Sequence, residues 1–334
     1  MGWKGTVRSF AAAGRRIERE NQRQVRVATQ QFKQLQKQEE LADASAAVAS
    51  YDSYVGLLKN IHHECSDAIS WSAFERESAP PAPKLGNTHE LNAQAALDFY
   101  LPSFFDKLFG RTERKRKQLA AAVEEANQRD QQLFAEQQTT HEQAVADWQD
   151  RRDLARQVLA RDVSVYRQVF EVFTPFAGID ALGTDLEFTF TADHIEVDVH
   201  VNSVEIIPDF IVSRLASGKL SRKTLPPSKF NELYQDYVCG CLLRVAREVQ
   251  AHLPVSIVVV HAVAKQLNPT TGHIEPQVIV SAAMPRQTLD QLRFVGLDPS
   301  DAMRNFNHAM KFAKTTGFQF VNRVGLTAPL PTKR

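Results

Sequence analysis

The sequence predicts an α+β protein in which a long antiparallel α-helical hairpin, coiled-coil-like in its apolar pattern, precedes a small two-layer α+β domain. Proline is absent before Pro80 and between Pro102 and Pro175, and a proline inside a helix costs roughly 3 kcal/mol. Both stretches are rich in strong helix formers. Beyond Pro175 the apolar period changes from about 3.6 residues to about 2. The predicted domains are therefore 1–174 and 175–334.

The composition limits the class of protein. The chain has 334 residues, with 40 basic and 39 acidic side chains, so attraction to nucleic acid or anionic lipid must come from a local patch. Three cysteines are too few for a disulfide framework. We find neither a run of about 18 apolar residues nor a signal peptide. We therefore expect a cytoplasmic protein, with peripheral association with the inner membrane as an alternative.

The two proline-free stretches predict the arms of the hairpin, each about 60 residues and about 90 Å long. The second arm has an imperfect apolar seam, because Asp130, Gln137 and His141 interrupt it. Polar seam positions often set register or partner choice, so we expect a homo-oligomer through the helical part. The seam predicted for the first arm consists of Leu41, Ala44, Val48, Val55, Leu58, Cys65 and Ile69.

The turn of the hairpin, residues 79–117, has the most distinctive pattern. A Pro-rich stretch is followed by a helical run over 90–100, an aromatic segment and a cluster of cations. Aromatic side chains beside cations are typical of a membrane-interface anchor, and the same pairing could stack bases and neutralise phosphates. The other alternative is a small aromatic core that closes the hairpin. The candidate binding residues are Phe104, Phe105, Phe109, Arg114, Lys115, Arg116 and Lys117.

Alternating and helical apolar patterns predict the elements of the second domain. The last of them begins at Asp298, a typical N-cap residue followed by a proline. The predicted elements are strands over 186–190 and 195–201, a helix over 230–249, strands over 256–264 and 278–283, and a final helix from Asp298 through Phe312.

Three stretches of this half resemble landmarks of a known family. They run from Leu233 to Cys239 (LYQDYVC), from Asp298 to Met303 (DPSDAM) and from Lys314 to Phe318 (KTTGF). They are similar to those of an uncharacterised bacterial protein family, with a helical N-terminal half and an α/β C-terminal half, that is found on mobile and defence islands. The resemblance implies a bacterial setting and a role in anti-phage defence. It assigns no catalytic residue.

Polar side chains on one predicted strand form a candidate metal site. His194, Glu196, Asp198 and His200 lie two residues apart and therefore share one face. Carboxylates and imidazoles are ligands for Zn²⁺, Mn²⁺ or Mg²⁺. A nuclease with a Pro-Asp motif would use Glu196, Asp198 and Asp209 as catalytic residues, although no Glu-x-Lys strand follows. The alternative is the solvated face of a half-buried hairpin.

Other chemistries lack their minimum parts. The sequence has no Gly-rich phosphate loop, dinucleotide fingerprint or nucleophile elbow, so we predict no cofactor. We expect a non-enzymatic recognition or scaffold protein with a protein partner. A metal-dependent nuclease or hydrolase is the alternative. An anionic membrane surface is a further candidate partner, and nucleic acid ranks below it.

Overall fold

The computed structural model describes residues 27, 29–30, 44–104, 108–176, 185–267 and 271–326. The described residues form two compact units: one lies within 73–154, and the other comprises those before 73 and those from 155 onward. Helices dominate the first half of the chain and strands occur in the second half, which confirms the predicted α+β class.

Five helices of the first half are α1 Ala44–Asn60, α2 Trp71–Arg76, α3 Thr88–Asp98, α4 Thr112–Leu159 and α5 Val163–Phe173. The second proline-free stretch is helical, as predicted, but it forms a 48-residue helix and a separate 11-residue helix instead of one arm of about 60 residues. The two helices are separated at Arg161, whose φ is 60°. Asp162 is the N-cap of α5, because its side chain accepts a hydrogen bond from the Ser164 amide.

The first proline-free stretch differs from the prediction. Helix α1 ends at Asn60, and residues 61–70 are not helical. Of the predicted seam, Leu58 is buried, whereas Leu41 lies outside the described residues. The predicted seam has the wrong helical phase, because it leaves out the tyrosine rings. These rings are apolar apart from their hydroxyl and are buried in α1. The buried side chains of α1 are Ala47, Tyr51, Tyr54 and Leu58.

Helix α1 packs against the C-terminal half of the chain. The Tyr51 ring lies 6.0 Å from the Phe210 ring, and the Tyr54 hydroxyl donates a 2.7 Å hydrogen bond to the Ile206 carbonyl. The coiled-coil pairing of two long helices is therefore not confirmed by the described residues.

Within 73–154, a Pro-rich segment lies antiparallel to α4. The Trp148 Nε1 donates to the Glu77 carbonyl at 2.8 Å, and the His141 Nε2 lies 3.2 Å from the Pro80 carbonyl. Three residues of the segment thus span the same length as seven residues of helix, which is about 10 Å. The segment must therefore be almost fully extended. Prolines favour that extended conformation.

Asp130 of α4 anchors the first turn of α3. Its carboxylate accepts hydrogen bonds from the backbone amides of His89 at 3.3 Å and Glu90 at 2.9 Å. These bonds, led by the one from Glu90, lower the pKa of Asp130. Two polar interruptions of the predicted seam, Asp130 and His141, therefore bind within this unit.

The second unit contains a six-stranded sheet of order β1-β2-β5-β6-β7-β8, with the β2–β5 pair parallel and the other neighbours antiparallel. A two-stranded sheet, β3–β4, lies outside it. The strands are β1 Asp185–Phe190, β2 His194–His200, β3 Phe210–Arg214, β4 Leu220–Thr224, β5 Ile257–Leu267, β6 Ile274–Pro285, β7 Asn307–Ala313 and β8 Gly317–Gln319. The helices of this half are α6 Pro227–His252, α7 Arg286–Asp290 and α8 Pro299–Ala302.

The predicted final helix through Phe312 is wrong. The predicted cap is present, because Asp298 accepts from the amides of Ser300 and Asp301, but α8 ends at Ala302. The chain then continues as β7, which pairs with β6 and β8. The turn into β8 uses Gly317, whose φ is 76°, a conformation that glycine adopts without strain.

Helix α6 is buried along its second half. From Tyr237 to His252 every residue except Arg247 is buried, including Glu248 at 0% and Arg244 at 5% exposure. An unpaired ion in such a position would cost several kcal/mol. The Arg244 Nη2 lies 2.8 Å from the Glu248 Oε1, and the Ser66 amide donates to the same oxygen at 3.0 Å.

The carbonyls at the end of α6, which have no partner within the helix, bind groups from two segments. The Trp71 Nε1 donates to the His252 carbonyl at 2.7 Å, and the Ile69 amide donates to the Ala251 carbonyl at 2.8 Å. Arg286 donates to the Gln250 carbonyl at 2.6 Å. Segment 61–72 is therefore fixed along α6.

The described residues contain no helix that is long and apolar enough to cross a membrane.

Substitution of Gly240 by alanine tests the close approach of segment 61–72 to α6. A Cβ at Gly240 would lie 2.5 Å from the Ile61 Cγ2, so we expect Gly240→Ala to destabilise the protein by about 1–3 kcal/mol. Urea unfolding measures this change. Gly56→Ala is the matched control, because a Cβ at Gly56 meets nothing within 4 Å and alanine favours a helix by about 1 kcal/mol. Equal effects of the two substitutions would contradict the packing.

Candidate functional sites

The turn between α3 and α4 exposes large apolar side chains. We call residues 99–117 the tip. Phe105 lies outside the described residues. Tyr100 is half-buried, whereas the large apolar side chains described on either side of Phe105 are mostly exposed. Their exposed fractions are Phe99 83%, Leu101 88%, Phe104 73%, Leu108 64% and Phe109 61%.

The predicted cations of the tip begin α4 and are all exposed. Arg114, Lys115, Arg116 and Lys117 are consecutive in its first two turns. Four successive helical residues point around about 300° of the helix, so the cations surround it. They also lie at the positive end of the helix dipole, where a cation is unfavourable. Their placement therefore does not serve the stability of α4.

Two cations of the tip, Lys115 and the preceding Arg111, lie beside aromatic rings. The guanidinium of Arg111 is 5.3 Å from the centre of the Phe109 ring. The Lys115 Nζ is 5.8 Å from the centre of the Tyr100 ring. Both distances are within the range of a cation–π interaction, so basic and aromatic groups of the tip are direct neighbours.

A second candidate site lies on one face of the six-stranded sheet. In β2, Ile195, Val197 and Val199 are fully buried on the face that α6 covers. Glu196 and Asp198 alternate with them and face the other side. The register places Asp198 opposite His261 of β5, and His261 opposite Ser281 of β6.

Arg323 completes this group. We call Glu196, Asp198, His261, Ser281 and Arg323 the sheet cluster. The Arg323 guanidinium donates to the Glu196 Oε1 at 2.9 Å and to the Asp198 Oδ2 at 2.6 Å. These bonds, first of all the one to Asp198, raise the pKa of Arg323. A guanidinium thus lies between two carboxylates.

Hydrogen bonds define the tautomer of His261. Its Nε2 is 2.8 Å from the Glu196 Oε1, and its Nδ1 is 2.8 Å from the Ser281 Oγ. The Val324 amide donates to the same hydroxyl oxygen at 2.9 Å. Burial, reinforced by Arg323, lowers the pKa of His261, so the ring is neutral at pH 7. The consistent arrangement has the Ser281 hydroxyl donating to Nδ1 and the Nε2–H donating to Glu196.

The sheet cluster contains some of the residues that the sequence predicts for a metal site. Glu196 and Asp198 come together, as their spacing predicts. His194 lies at the start of β2, where its Nδ1 is 2.8 Å from the Thr191 hydroxyl. His200 lies at the end of β2 with its Nε2 3.3 Å from the Glu187 Oε1. Both histidines are outside the cluster.

The predicted catalytic Asp209 is also outside the cluster. It is exposed and directly precedes β3 of the two-stranded sheet. Its backbone carbonyl accepts from the Leu225 amide at 2.8 Å. The Pro-Asp motif therefore helps to close the β3–β4 pair, and the predicted trio of Glu196, Asp198 and Asp209 is not assembled.

Sequence reasoning missed His261, Ser281 and Arg323. The only signal was a single histidine inside the apolar run of β5, where a buried imidazole needs polar partners. Its hydrogen-bond partners come from β2 and β6, 65 and 20 residues away along the chain. A pattern within one strand cannot specify such pairing.

The stretches that carry the family resemblance lie around the first half of α6. The ring of Tyr234 is 5.9 Å from that of Phe318. Lys314 forms an ion pair with Glu232. Burial, with repulsion from Asp298, raises the pKa of Asp236 to about 6. The three stretches thus meet in the structure, which gives them a common packing role.

Comparisons with protein-family models, curated proteins and solved structures found no match to this chain.

The raised pKa of Asp236 predicts a pH dependence of stability. The folded protein holds this proton up to about pH 6, whereas the unfolded chain releases it near 3.8. The free energy of unfolding therefore falls as the pH rises through this interval. We expect Asp236→Asn to raise the free energy of unfolding by about 1–2 kcal/mol more at about pH 8 than at about pH 4. This difference is smaller than the full pKa shift implies, because the side chain is partly exposed.

Urea unfolding across this pH range measures the effect. Asp301→Asn, at an exposed carboxylate of the same region, serves as the control and should show no such dependence. A gain from Asp236→Asn that is the same at both pH values would contradict the assignment.

Proposed function

We propose that this chain is a non-enzymatic recognition or scaffold protein whose tip docks onto an anionic membrane surface. The observation that carries the proposal is the exposure of five large apolar side chains, each at least 61% exposed, within eleven consecutive positions. Large exposed apolar patches mark interaction sites. The cations that follow at once select for negative charge.

The chemistry of the tip favours lipid over nucleic acid. Leu101 and Leu108 are among its exposed groups, and an aliphatic side chain can enter the acyl region but cannot stack on a base. Residues 99–117 contain six basic and two acidic side chains. Each basic group near an anionic surface contributes about 1 kcal/mol. The apolar and electrostatic contributions therefore support the same partner.

Substitution of the apolar groups tests the docking. The double variant Phe104→Ala/Phe109→Ala should bind vesicles that contain phosphatidylglycerol at least about tenfold more weakly, because burial of one phenylalanine contributes about 1.5–3 kcal/mol. Its melting temperature should equal that of the parent. Vesicle flotation and thermal melting measure the two quantities. Leu267→Ala/Ile274→Ala removes apolar groups of 63% and 72% exposure outside the tip and should leave binding unchanged.

Substitution of the cations tests the charge component. Glutamine at Arg114, Lys115, Arg116 and Lys117 should weaken vesicle binding about tenfold or more at low salt, with a smaller loss near 0.15 M salt because of screening. Exposed charges contribute little to stability, so folding should be unaffected. Full binding by both tip variants would refute the proposal, and so would equal binding of the parent to phosphatidylcholine vesicles.

A metal-dependent nuclease or hydrolase is the second candidate function. It is favoured by the three potential ligand atoms of Glu196, Asp198 and His261, which lie within 4.8 Å of one another. The complete burial of His261 and the bonds of Arg323 to both carboxylates oppose access of a substrate. Mn²⁺-dependent cleavage of DNA that is lost in Asp198→Ala would favour this candidate over docking alone.

Self-association through the helical part remains a prediction. Asp130 and His141 bind within their own unit, so Gln137, which is exposed, is the remaining polar seam position. Light scattering from the full chain should give a mass above the 37.6 kDa of one copy; a mass of one copy at micromolar concentration would contradict it. A role in anti-phage defence rests on the family resemblance and on no other observation.

A further inference from the structure

The sheet cluster already binds a cation, the guanidinium of Arg323. We propose that Glu196, Asp198 and His261 form a binding site for a divalent transition-metal ion, and that this ion and Arg323 compete for it. Metal binding would then loosen the attachment of residues 320–326 to the sheet. This inference is independent of docking at the tip and requires no catalytic activity.

The donor atoms have the geometry and chemistry of a metal site. One oxygen of Glu196, one of Asp198 and a ring nitrogen of His261 lie within 4.8 Å of one another. All three residues are on the paired strands β2 and β5, so the backbone fixes their positions. Two carboxylates and one imidazole form a mixed oxygen and nitrogen set that suits Mn²⁺ or Zn²⁺.

A second observation points to a missing ligand. The Asp198 Oδ1 is buried and has no hydrogen-bond partner among the described residues. A buried acceptor without a partner is costly. Arg323 uses the other oxygen, Oδ2, and therefore leaves Oδ1 unsatisfied. A metal ion that replaces the Arg323 guanidinium can bind Oδ1. This additional bond would favour replacement of the guanidinium by the metal ion.

Ser281 supplies the outer partner that metal-bound histidines usually have. Its Oγ is 2.8 Å from the Nδ1 of His261. When Nε2 binds a metal, the ring proton must reside on Nδ1 and is donated to the Ser281 oxygen. The same hydroxyl accepts from the Val324 amide. Metal binding therefore rearranges hydrogen bonds at the point where the C-terminal segment contacts the sheet.

The contacts of the C-terminal segment explain how metal binding would weaken the attachment of that segment to the sheet. The Val321 amide donates to the Val278 carbonyl at 2.8 Å, and the Val324 amide donates to Ser281. Arg323 lies between these two residues and provides two further hydrogen bonds. A divalent ion repels the guanidinium from the same position. Loss of the Arg323 bonds leaves the segment with the two backbone contacts and should loosen it.

Titration of the full-length protein with Mn²⁺ tests the site. Calorimetry and electron paramagnetic resonance measure the Mn²⁺ affinity. Arg323→Gln removes the competing cation and should raise the Mn²⁺ affinity at least tenfold. Asp198→Asn should lower it at least tenfold, both in the parent and in the Arg323→Gln background. Arg304→Gln, at an exposed arginine paired with Asp301, should leave the affinity unchanged.

Hydrogen exchange tests the coupling. Saturating Mn²⁺ should accelerate exchange of the Val321 and Val324 amides in the parent by about tenfold, and should have no such effect in Asp198→Asn. If Arg323→Gln fails to fold, Arg323→Lys retains a charge that donates fewer hydrogen bonds, and it should bind Mn²⁺ more tightly than the parent.

Three results would overturn the inference. These are the absence of Mn²⁺ and Zn²⁺ binding at millimolar concentration in both the parent and the folded Arg323 variant, metal binding that survives Asp198→Asn, and metal binding with unchanged exchange of the C-terminal amides. None of them affects vesicle binding by the tip, so this inference and the docking proposal can fail separately.

Discussion

The burial of polar groups in α6 is the constraint on which the second unit depends. Glu248 is completely buried, and this burial raises the pKa of its carboxyl, so its polar atoms need partners within the protein. Arg244 and the Ser66 amide both bind its Oε1, and the carbonyls at the helix end are bound by Trp71 and Arg286. Segment 61–72 is therefore required for α6 to be buried, and this requirement ends helix α1 at Asn60.

The same requirement explains the other face of the sheet. His261 and Ser281 are completely buried, and their polar atoms must find partners in the protein. Glu196 and Ser281 supply the partners of the two His261 nitrogens, and the Val324 amide of the C-terminal segment adds a donor to the Ser281 hydroxyl oxygen. The tip has the opposite character, because its apolar groups are exposed and its cations oppose the helix dipole. The proposed docking surface and the proposed metal site thus rest on independent physical observations.

Much of the architecture could be predicted from the sequence because it depends on local periodicity. The strands of the 185–200 hairpin, the long helix α4 and the Asp298 cap follow from spacing and turn chemistry. The exact role of a polar residue depended on distant partners: Asp130 was interpreted as a seam interruption, whereas it anchors α3. The sheet cluster was half predictable, since Glu196 and Asp198 share a strand, whereas His261 joins them through a parallel pairing that no local pattern specifies.

Native-state hydrogen exchange at the Ser66 and Ile69 amides tests most directly whether α6 fixes segment 61–72. Both amides donate into α6, one to Glu248 and the other to the Ala251 carbonyl. If the segment is part of the core, their exchange should require an opening free energy close to that of the central α6 amides. Exchange at the rate of an exposed loop, while α6 stays protected, would contradict the account.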